Sequence, residues 1–136
     1  VTSLKGPEGL PITKPPYSRI TAIDMNTGDH IWMRPHGNGI RQKIIKKGIS
    51  DPGPVGGRFG TGPLLTSSLL FLGQKDENRN LLRAFNKDDG TILAEIELPA
   101  TPWGTPMSYV SNNRQYIVIA TGEGAKAKLI GLALPP

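Results

Sequence analysis

A repeated turn-and-strand pattern constrains the fold of this chain more than any other feature. Residues 22–32, AIDMNTGDHIW, alternate apolar and polar side chains, turn on Asn, Thr and Gly, and end on a tryptophan. Residues 84–94, AFNKDDGTILA, repeat the pattern with the glycine at the same offset, and a fainter copy begins 47 residues later at Gly131. A second family of equivalents contains Pro63 and Pro106, which lie 43 residues apart. Periods of this length are typical of β-propeller blades, each an antiparallel sheet of four strands.

The rest of the sequence predicts the same all-β fold class. Short β-rich runs recur about nine times, and clusters of Gly, Pro, Asn and Asp separate them. Glycine and proline number 17 and 13 in 136 residues, a content that favours a turn-rich β protein. Only RQKIIKKG, residues 41–48, has the pattern of a helical turn.

The order of the strands predicts which part of each blade is present. Residues 17–34 are expected to form the outer two strands of one blade, residues 62–98 a complete blade, and residues 105–134 the inner three strands of the last blade. Residues 35–61 are expected to be a long loop insertion. Such a set of about two blades leaves sheet edges that need partners, so we expect residues 1–136 to be part of a larger propeller.

Connection lengths predict where function lies. The connections between strands one and two and between strands three and four of each blade are short and are expected on one face. The longer connections, residues 35–60, 74–80, 99–104 and 123–126, are expected on the other face. Binding sites concentrate where long loops meet the innermost strands. Trp103 lies there, either as a loop aromatic that covers the core or as a flat pocket wall for a planar ligand. The glycines of GGRFGTG, residues 56–62, would let backbone approach such a ligand closely.

The sequence lacks the motifs of several other function classes. The chain has no cysteine, and its two histidines lack zinc spacing. The turns DMNTGD and NKDDG lack the twelve-residue calcium loop, and GEGAKAK lacks the phosphate-loop pattern and a following helix. The longest apolar run is too short to cross a bilayer. The net charge of +5 comes largely from RQKIIKK, residues 41–47, which is expected to be a solvated loop, since no aromatics alternate with its cations as in a nucleic-acid surface.

These residues resemble a known family, the periplasmic pyrroloquinoline-quinone (PQQ) dehydrogenases, especially those of glucose, other sugars and alcohols. The resemblance covers nearly the whole chain through PPYSRITAIDMNTGDHIW, GPLLTSSLLFLG, LRAFNKDDGTILAEIELPA and GTPMSYVSNNRQYIVIATG, and IGLALP is similar to the family's C-terminal strand. The motif Ala-x-Asp-x-x-Thr-Gly-x-x-x-Trp is the family's tryptophan-docking repeat. Residues 22–32 match it throughout, whereas the second copy departs with Asn86, Asp89 and Ala94.

The resemblance implies that the chain is the C-terminal part of an eight-bladed, periplasmic propeller enzyme. Such enzymes oxidise aldose sugars or alcohols by hydride transfer to PQQ, with calcium or another divalent ion polarising the quinone. Catalytic residues and metal ligands of the family would lie in earlier blades, so none is assigned here, and this segment alone is expected to be inactive. The implied partners are the remaining blades, the substrate and a quinone or cytochrome acceptor, without nucleic acid. The alternative is a non-catalytic propeller scaffold that uses the same docking repeats.

Two groups of residues follow from the resemblance and from position. The expected cofactor-binding wall comprises Trp103, Gly104, Thr105, Gly60 and Gly62. The structural docking residues are Ala22, Gly28, Trp32, Ala84 and Gly90. By analogy with the family, the indole of Trp32 packs between Ala22 and the backbone near Gly90, and a buried indole there would contribute about 3–5 kcal/mol to stability.

Overall fold

Nine β-strands dominate the part of the chain that the structure, a computed structural model, describes: residues 4–57 and 61–134. The strands are β1 (Arg19–Ile23), β2 (His30–Pro35), β3 (Leu64–Leu65), β4 (Leu69–Asp76), β5 (Arg79–Asn86), β6 (Ile92–Glu97), β7 (Pro102–Ser111), β8 (Arg114–Thr121) and β9 (Lys128–Ala133). A short helix α1 (Arg41–Ile45) and two 3-10 turns (Pro7–Gly9 and Gly124–Lys126) accompany them. The predicted all-β class is confirmed. Among the described residues, no helix is long and apolar enough to cross a membrane.

The strands form three antiparallel sheets in which neighbours along the chain are neighbours in space. Their orders are β1-β2, β3-β4-β5-β6 and β7-β8-β9. The chain separates into two compact units, one up to Arg58 and one from Phe59 onward. The first holds β1, β2 and α1, and the second holds the other two sheets. The assignment of the segments 17–34, 62–98 and 105–134 to blades of one propeller stays a prediction.

The first unit is built around the β1–β2 hairpin and the segment predicted as a loop insertion. The backbone N–H of Tyr17 donates to the Val55 carbonyl at 2.7 Å, and that of Gly57 donates to the His36 carbonyl at 2.8 Å. Val55 and His36 are buried at 1% exposure each. Residues 55–57 therefore return to the hairpin and form hydrogen bonds with the chain on either side of it.

Residues 41–45 of the basic run form the helix α1, as the helical-turn pattern of residues 41–48 predicts, and the lysines of the run are exposed, so it is solvated as expected but is not a loop over these residues. Ile44 of α1 is buried at 6% exposure, which fixes that face of the helix to the unit. Two of the lysines have partners near the first 3-10 turn: Lys43 Nζ donates to the Gly9 carbonyl at 3.2 Å, and Lys47 Nζ lies 3.0 Å from Glu8 Oε2. Both lysines thus contact residues that are distant in the sequence.

An exposed ion pair closes the segment that follows α1. Arg41 donates from Nη2 to Asp51 Oδ2 at 2.5 Å and from Nε to Asp51 Oδ1 at 2.7 Å. The backbone N–H of Gly53 also donates to Asp51 Oδ1 at 2.9 Å. The Arg41 hydrogen bonds, helped by Gly53, lower the pKa of Asp51 from 3.8 to about 2.

Two hairpin turns of the second unit contain residues other than glycine with a positive φ. Asn112 and Asn113 have φ of 48° and 58°, the combination that a two-residue type I′ turn between β7 and β8 requires. Glu77 has φ of 55° and begins the β4–β5 turn, in which Asp76 and Arg79 are the last paired residues. The prediction of a long connection over residues 74–80 is therefore wrong, because all of these residues except the two in the turn, 77 and 78, belong to the paired strands β4 and β5.

An apolar core joins the two sheets of the second unit. Leu82 of β5 and Leu98, which directly follows β6, pack with Ile119 of β8, and all three are at most 3% exposed. Partly buried side chains pack around them, namely Phe71, Ile117, Ile130 and Leu132. The two sheets therefore pack face to face, as expected for antiparallel sheets with one apolar face each.

The opposite face of the four-stranded sheet contains a buried charge cluster around Arg83. Its guanidinium donates to Gln74 Oε1 at 2.7 Å, to Asp76 Oδ2 at 2.8 Å and to Glu95 Oε1 at 2.7 Å. The side chains of Arg83 and Asp76 are 9% and 4% exposed. Charges this buried are retained only with good hydrogen-bond geometry, and all three guanidinium nitrogens have it.

The Asp51 pair predicts a pH dependence of the first unit. Because the folded pKa is depressed, the stability from this carboxylate is fully present above its ordinary pKa of 3.8 and is lost as the pH falls towards 2. Carbon-13 NMR of the Asp51 carboxyl should titrate with a midpoint near 2. In the Arg41→Gln variant the midpoint should return towards 3.8, and an unchanged midpoint would show that Arg41 is not the cause.

Removal of the buried guanidinium should destabilise the second unit strongly. Arg83→Met leaves the buried Asp76 carboxylate without its guanidinium partner, and we expect a loss of about 3 kcal/mol. Arg79→Met is the matched control, since Arg79 pairs with Glu95 at 3.3 Å with 55% of its side chain exposed, and it should cost less than about 1 kcal/mol. Urea unfolding followed by circular dichroism measures both. Equal losses in the two variants would contradict the assignment.

Candidate functional site

The candidate site is built on an irregularity in β7. Trp103 pairs with Ala120 of β8, and the next regular pair is Met107 with Val118. Three residues of β7 therefore oppose a single residue of β8 between these pairs, and Gly104 takes φ of 68°. An irregularity of this kind locally re-aims side chains and is frequent beside active sites.

The structure places Trp103 inside this strand, whereas the sequence predicted a loop ending before residue 105. Pro102 already pairs with Thr121, so β7 begins three residues earlier than expected. The bulge explains the difference, because it interrupts the apolar alternation by which a strand is recognised.

Three of the predicted wall residues lie in direct contact. The backbone N–H of Gly62 donates to the Gly104 carbonyl at 3.1 Å. A Cβ on Gly62 would lie 2.2 Å from Oγ1 of Thr105, so glycine is needed for this approach. A Cβ on Gly104, by contrast, would meet no atom within 4 Å. Gly60, the third glycine of the predicted wall, lies outside the described residues.

The indole of Trp103 is accessible. It is 39% exposed and lies on the same face of the sheet as its cross-strand neighbour Ala120, which is also exposed. This face is opposite to the one through which Ile119 joins the core. Trp103 is therefore not a core aromatic.

Other apolar side chains continue this face of the sheet. Met107 is 56% exposed and Leu129 is 76% exposed. Tyr109 and Tyr116 stack with ring centroids 5.1 Å apart and an interplanar angle of 12°. Trp103 thus lies at one end of an apolar sheet face with its ring free to stack on a planar group.

Among the described residues, no group of three or more His, Asp or Glu side chains could hold a metal ion. The described part of the site consequently offers an aromatic plane, glycine backbone and one hydroxyl. An exposed aromatic plane of this kind is suited to stacking on a flat molecule.

The predicted docking residues form two turns of the same geometry. In the first, the Gly28 N–H donates to the Asp24 carbonyl at 2.7 Å, and Asn26 N–H donates to Asp24 Oδ1 at 2.8 Å. In the second, the Gly90 N–H donates to the Asn86 carbonyl at 2.9 Å, and Asp88 N–H donates to Asn86 Oδ1 at 2.9 Å. In each copy, the residue two positions after the alanine, Asp24 or Asn86, accepts both hydrogen bonds.

The two copies differ at the strand that follows the turn. Trp32 is half-buried and pairs with Ala22 across β1 and β2, so the small residue lies directly opposite the indole. In the second copy Ala94 pairs with Ala84, and no aromatic is present. The packing of Trp32 on the backbone near Gly90 stays a prediction.

Comparison with known proteins identifies the family. The family model described as "Glucose/ethanol/alcohol dehydrogenase, beta-propeller domain", a PQQ family, matches residues 1–117. The chain belongs to this family. The predicted propeller class is thereby confirmed, with only partial blades present.

Named relatives agree with this membership. The quinone-dependent quinate/shikimate dehydrogenase of Acinetobacter baylyi is 35% identical over 127 residues, which cover 84% of this chain and 14% of that protein. The quinoprotein glucose dehydrogenase of Escherichia coli is 32% identical over 117 residues, covering 85% and 14%. The glycerol dehydrogenase large subunit of Gluconobacter thailandicus is 30% identical over 116 residues, covering 84% and 15%. This PQQ-family chain thus spans about 15% of the length of the relatives it matches.

A solved structure shares the fold of the PQQ-family chain. The quinohaemoprotein alcohol dehydrogenase of Pseudomonas putida HK5 superposes with a TM-score of 0.54 at 21% identity. The match covers 78% of this chain and 12% of that one. It supports the propeller architecture of the described sheets.

Sequence reasoning missed one residue beside the candidate site. Thr61 is 7% exposed and forms an isolated parallel bridge with Gly104. The glycine-rich stretch that contains it suggested only close backbone approach. No sequence signal distinguishes Thr61, because the bridge joins segments more than forty residues apart.

The half-burial of Trp32 sharpens the expected effect of its removal. Trp32→Ala should lower the free energy of unfolding by about 2–3 kcal/mol, less than the 3–5 kcal/mol of a fully buried aromatic. Met33→Ala is the control on the same strand, since Met33 is 50% exposed, and it should cost under about 1 kcal/mol. Urea unfolding measures both changes, and a Trp32→Ala loss no larger than that of the control would exclude a docking role.

Proposed function

We propose that this chain supplies scaffold and part of the cofactor-pocket wall of a PQQ-dependent dehydrogenase that oxidises an aldose sugar or an alcohol. The observation that carries the proposal is the PQQ-family match over residues 1–117. The relatives are named as dehydrogenases of glucose, quinate, shikimate and glycerol. Each of these compounds carries hydroxyl groups, so oxidation of a hydroxyl is the reaction that the names share. The remaining blades of the same propeller would be the main partners of the described sheets.

The described residues fit a planar cofactor. Trp103 offers a half-exposed indole, and the open space beside the Cα of Gly104 leaves room for a flat ring system against the backbone. Gly62 contacts the bulge at Gly104 and Thr105. In this proposal Trp103 stacks on the ring, Gly104 permits its approach, and Thr105 lies at the edge of the wall.

The roles of this chain's residues are binding and orientation. PQQ, when bound, supplies the hydride-accepting quinone chemistry. Trp103 would exclude water from one face of the ring and limit its tilt, which raises the fraction of productive geometry. The proton of the substrate hydroxyl, the calcium or other divalent ion, and their ligands are assigned to parts of the protein outside this segment. We further propose a periplasmic location and a quinone or cytochrome electron acceptor.

A non-catalytic propeller scaffold is the competing function. A scaffold needs neither an exposed indole on an inner strand nor a glycine bulge beside it, whereas a cofactor wall needs both. The geometry of Trp103 and Gly104 therefore favours the enzyme.

The test is a PQQ titration of the complete gene product that contains this chain, followed by quinone absorbance. Trp103→Ala should weaken PQQ binding by roughly tenfold, because it removes the stacking plane, and Trp103→Phe should recover part of the loss. Trp32→Phe, the matched change at the other tryptophan of the chain, should leave PQQ affinity within about twofold.

Two results would overturn the proposal. Unchanged PQQ affinity in Trp103→Ala would remove Trp103 from the wall, and absence of PQQ binding and dehydrogenase turnover in the wild-type gene product would favour the scaffold. The isolated 136-residue chain should show no turnover, since no catalytic residue is assigned to it, and robust glucose oxidation by it would show that the catalytic residues lie within this segment.

A further inference from the structure

The innermost strand of the four-stranded sheet leaves its own sheet beside the candidate site. β3 pairs with β4 only at Leu64–Phe71 and Leu65–Leu70. Continuing that register would place Gly62 opposite Gly73, but the Gly62 N–H donates instead to the Gly104 carbonyl of β7. Pro63 lies at the divergence and has no N–H to donate. The segment before β3 therefore joins one sheet to the next.

The Thr61 side chain takes the place of the missing strand pairing. Its hydroxyl donates to the Gly73 carbonyl at 2.8 Å and accepts from the Gly73 N–H at 2.9 Å. Both groups are buried, and buried backbone groups require partners. One hydroxyl thus satisfies the donor and the acceptor that β3 leaves behind.

The side chains of Thr61 and Pro102 both lie close to Gly73. A Cβ there would lie 2.7 Å from Cγ2 of Thr61 and 2.9 Å from Cβ of Pro102. Pro102 directly precedes Trp103 and is buried. The backbone before the indole therefore packs on the Thr61–Gly73 contact.

The backbone after the indole is held by the same segment. Thr61 bridges to Gly104, and Gly62 contacts Gly104 and Thr105. Both neighbours of Trp103 are consequently fixed through residues 61–62.

We propose that Thr61 is a positioning residue for the cofactor wall: its hydroxyl fixes the β7 bulge and thereby sets the orientation of the Trp103 indole. This inference rests on the proposed function for its link to PQQ. The link to the indole itself is independent of any cofactor.

Thr66 provides a matched control on the other end of β3. Its hydroxyl donates to the Leu69 carbonyl at 3.0 Å and accepts from the Leu69 N–H at 3.0 Å. Thr66→Val therefore removes the same two kinds of hydrogen bond as Thr61→Val, in the same hairpin, without contact to the bulge. Thr61 is buried and Thr66 is half-buried, so Thr61→Val is expected to cost more stability, and the readout that separates positioning from a purely structural role is the environment of Trp103.

The experiment uses the complete gene product labelled with 5-fluorotryptophan, with the Trp103 fluorine resonance assigned through Trp103→Phe. Thr61→Val should shift or broaden this resonance in the cofactor-free protein and should weaken PQQ binding about tenfold. Thr61→Ser keeps the hydroxyl and should restore both to near wild type. Thr66→Val should leave the resonance unchanged and PQQ affinity within about twofold.

The outcomes separate the two proposals. An unmoved Trp103 resonance with wild-type affinity in Thr61→Val would overturn the positioning role, as would equal effects of Thr61→Val and Thr66→Val or of Thr61→Val and Thr61→Ser. If the wild-type protein binds no PQQ, the proposed function fails while the resonance still tests the Thr61 contact. Thr61→Ala, which admits water to Gly73, replaces Thr61→Val if valine prevents folding, with the same expected result.

Discussion

The close approach at Gly73 determines how the two sheets of the second unit meet. Only a residue without Cβ leaves room for Thr61, Pro102 and Ile119 around one position of β4. Ile119 belongs to the shared core, and Pro102 begins the strand that carries Trp103. Packing of the sheets and placement of the candidate wall thus depend on the same contact. A change that widens it affects stability and site together, which is why a control such as Thr66 is needed to separate them.

Local chemistry explains which parts of the fold could be predicted from the sequence. The turns at residues 24–28 and 86–90 depend on a side-chain oxygen, a backbone carbonyl and a glycine within five residues, so their motif is sufficient. The Asn112–Asn113 turn is likewise encoded by two residues that tolerate positive φ. The strands around these turns follow from alternation.

The features that sequence reasoning missed depend on distant partners. Gln74 and Asp76 look like loop residues, but Arg83 on the next strand makes them buried members of a sheet. Trp103 looks like a loop residue, since the bulge after it breaks the alternation. In both cases the physical reason is a contact between segments that the local pattern does not contain. The wall residues Gly62, Gly104 and Thr105 were named by position, and their mutual contact could be seen only in three dimensions.

The two copies of the repeat separate turn formation from docking. Both make the same hydrogen bonds at the turn, although only the first has a tryptophan at the end of the motif. The turn hydrogen bonds therefore form without the indole, and Trp32 lies opposite Ala22 in the paired strands, outside the turn. At Ala94 that contribution is absent, so the second unit relies on its own core of Leu82, Leu98 and Ile119 to join its sheets. Ile119 of this core also lies beside Gly73, where Thr61 and Pro102 meet. The two sheets of the second unit, which are joined without a docking tryptophan, are therefore joined at the contact that holds the proposed cofactor wall.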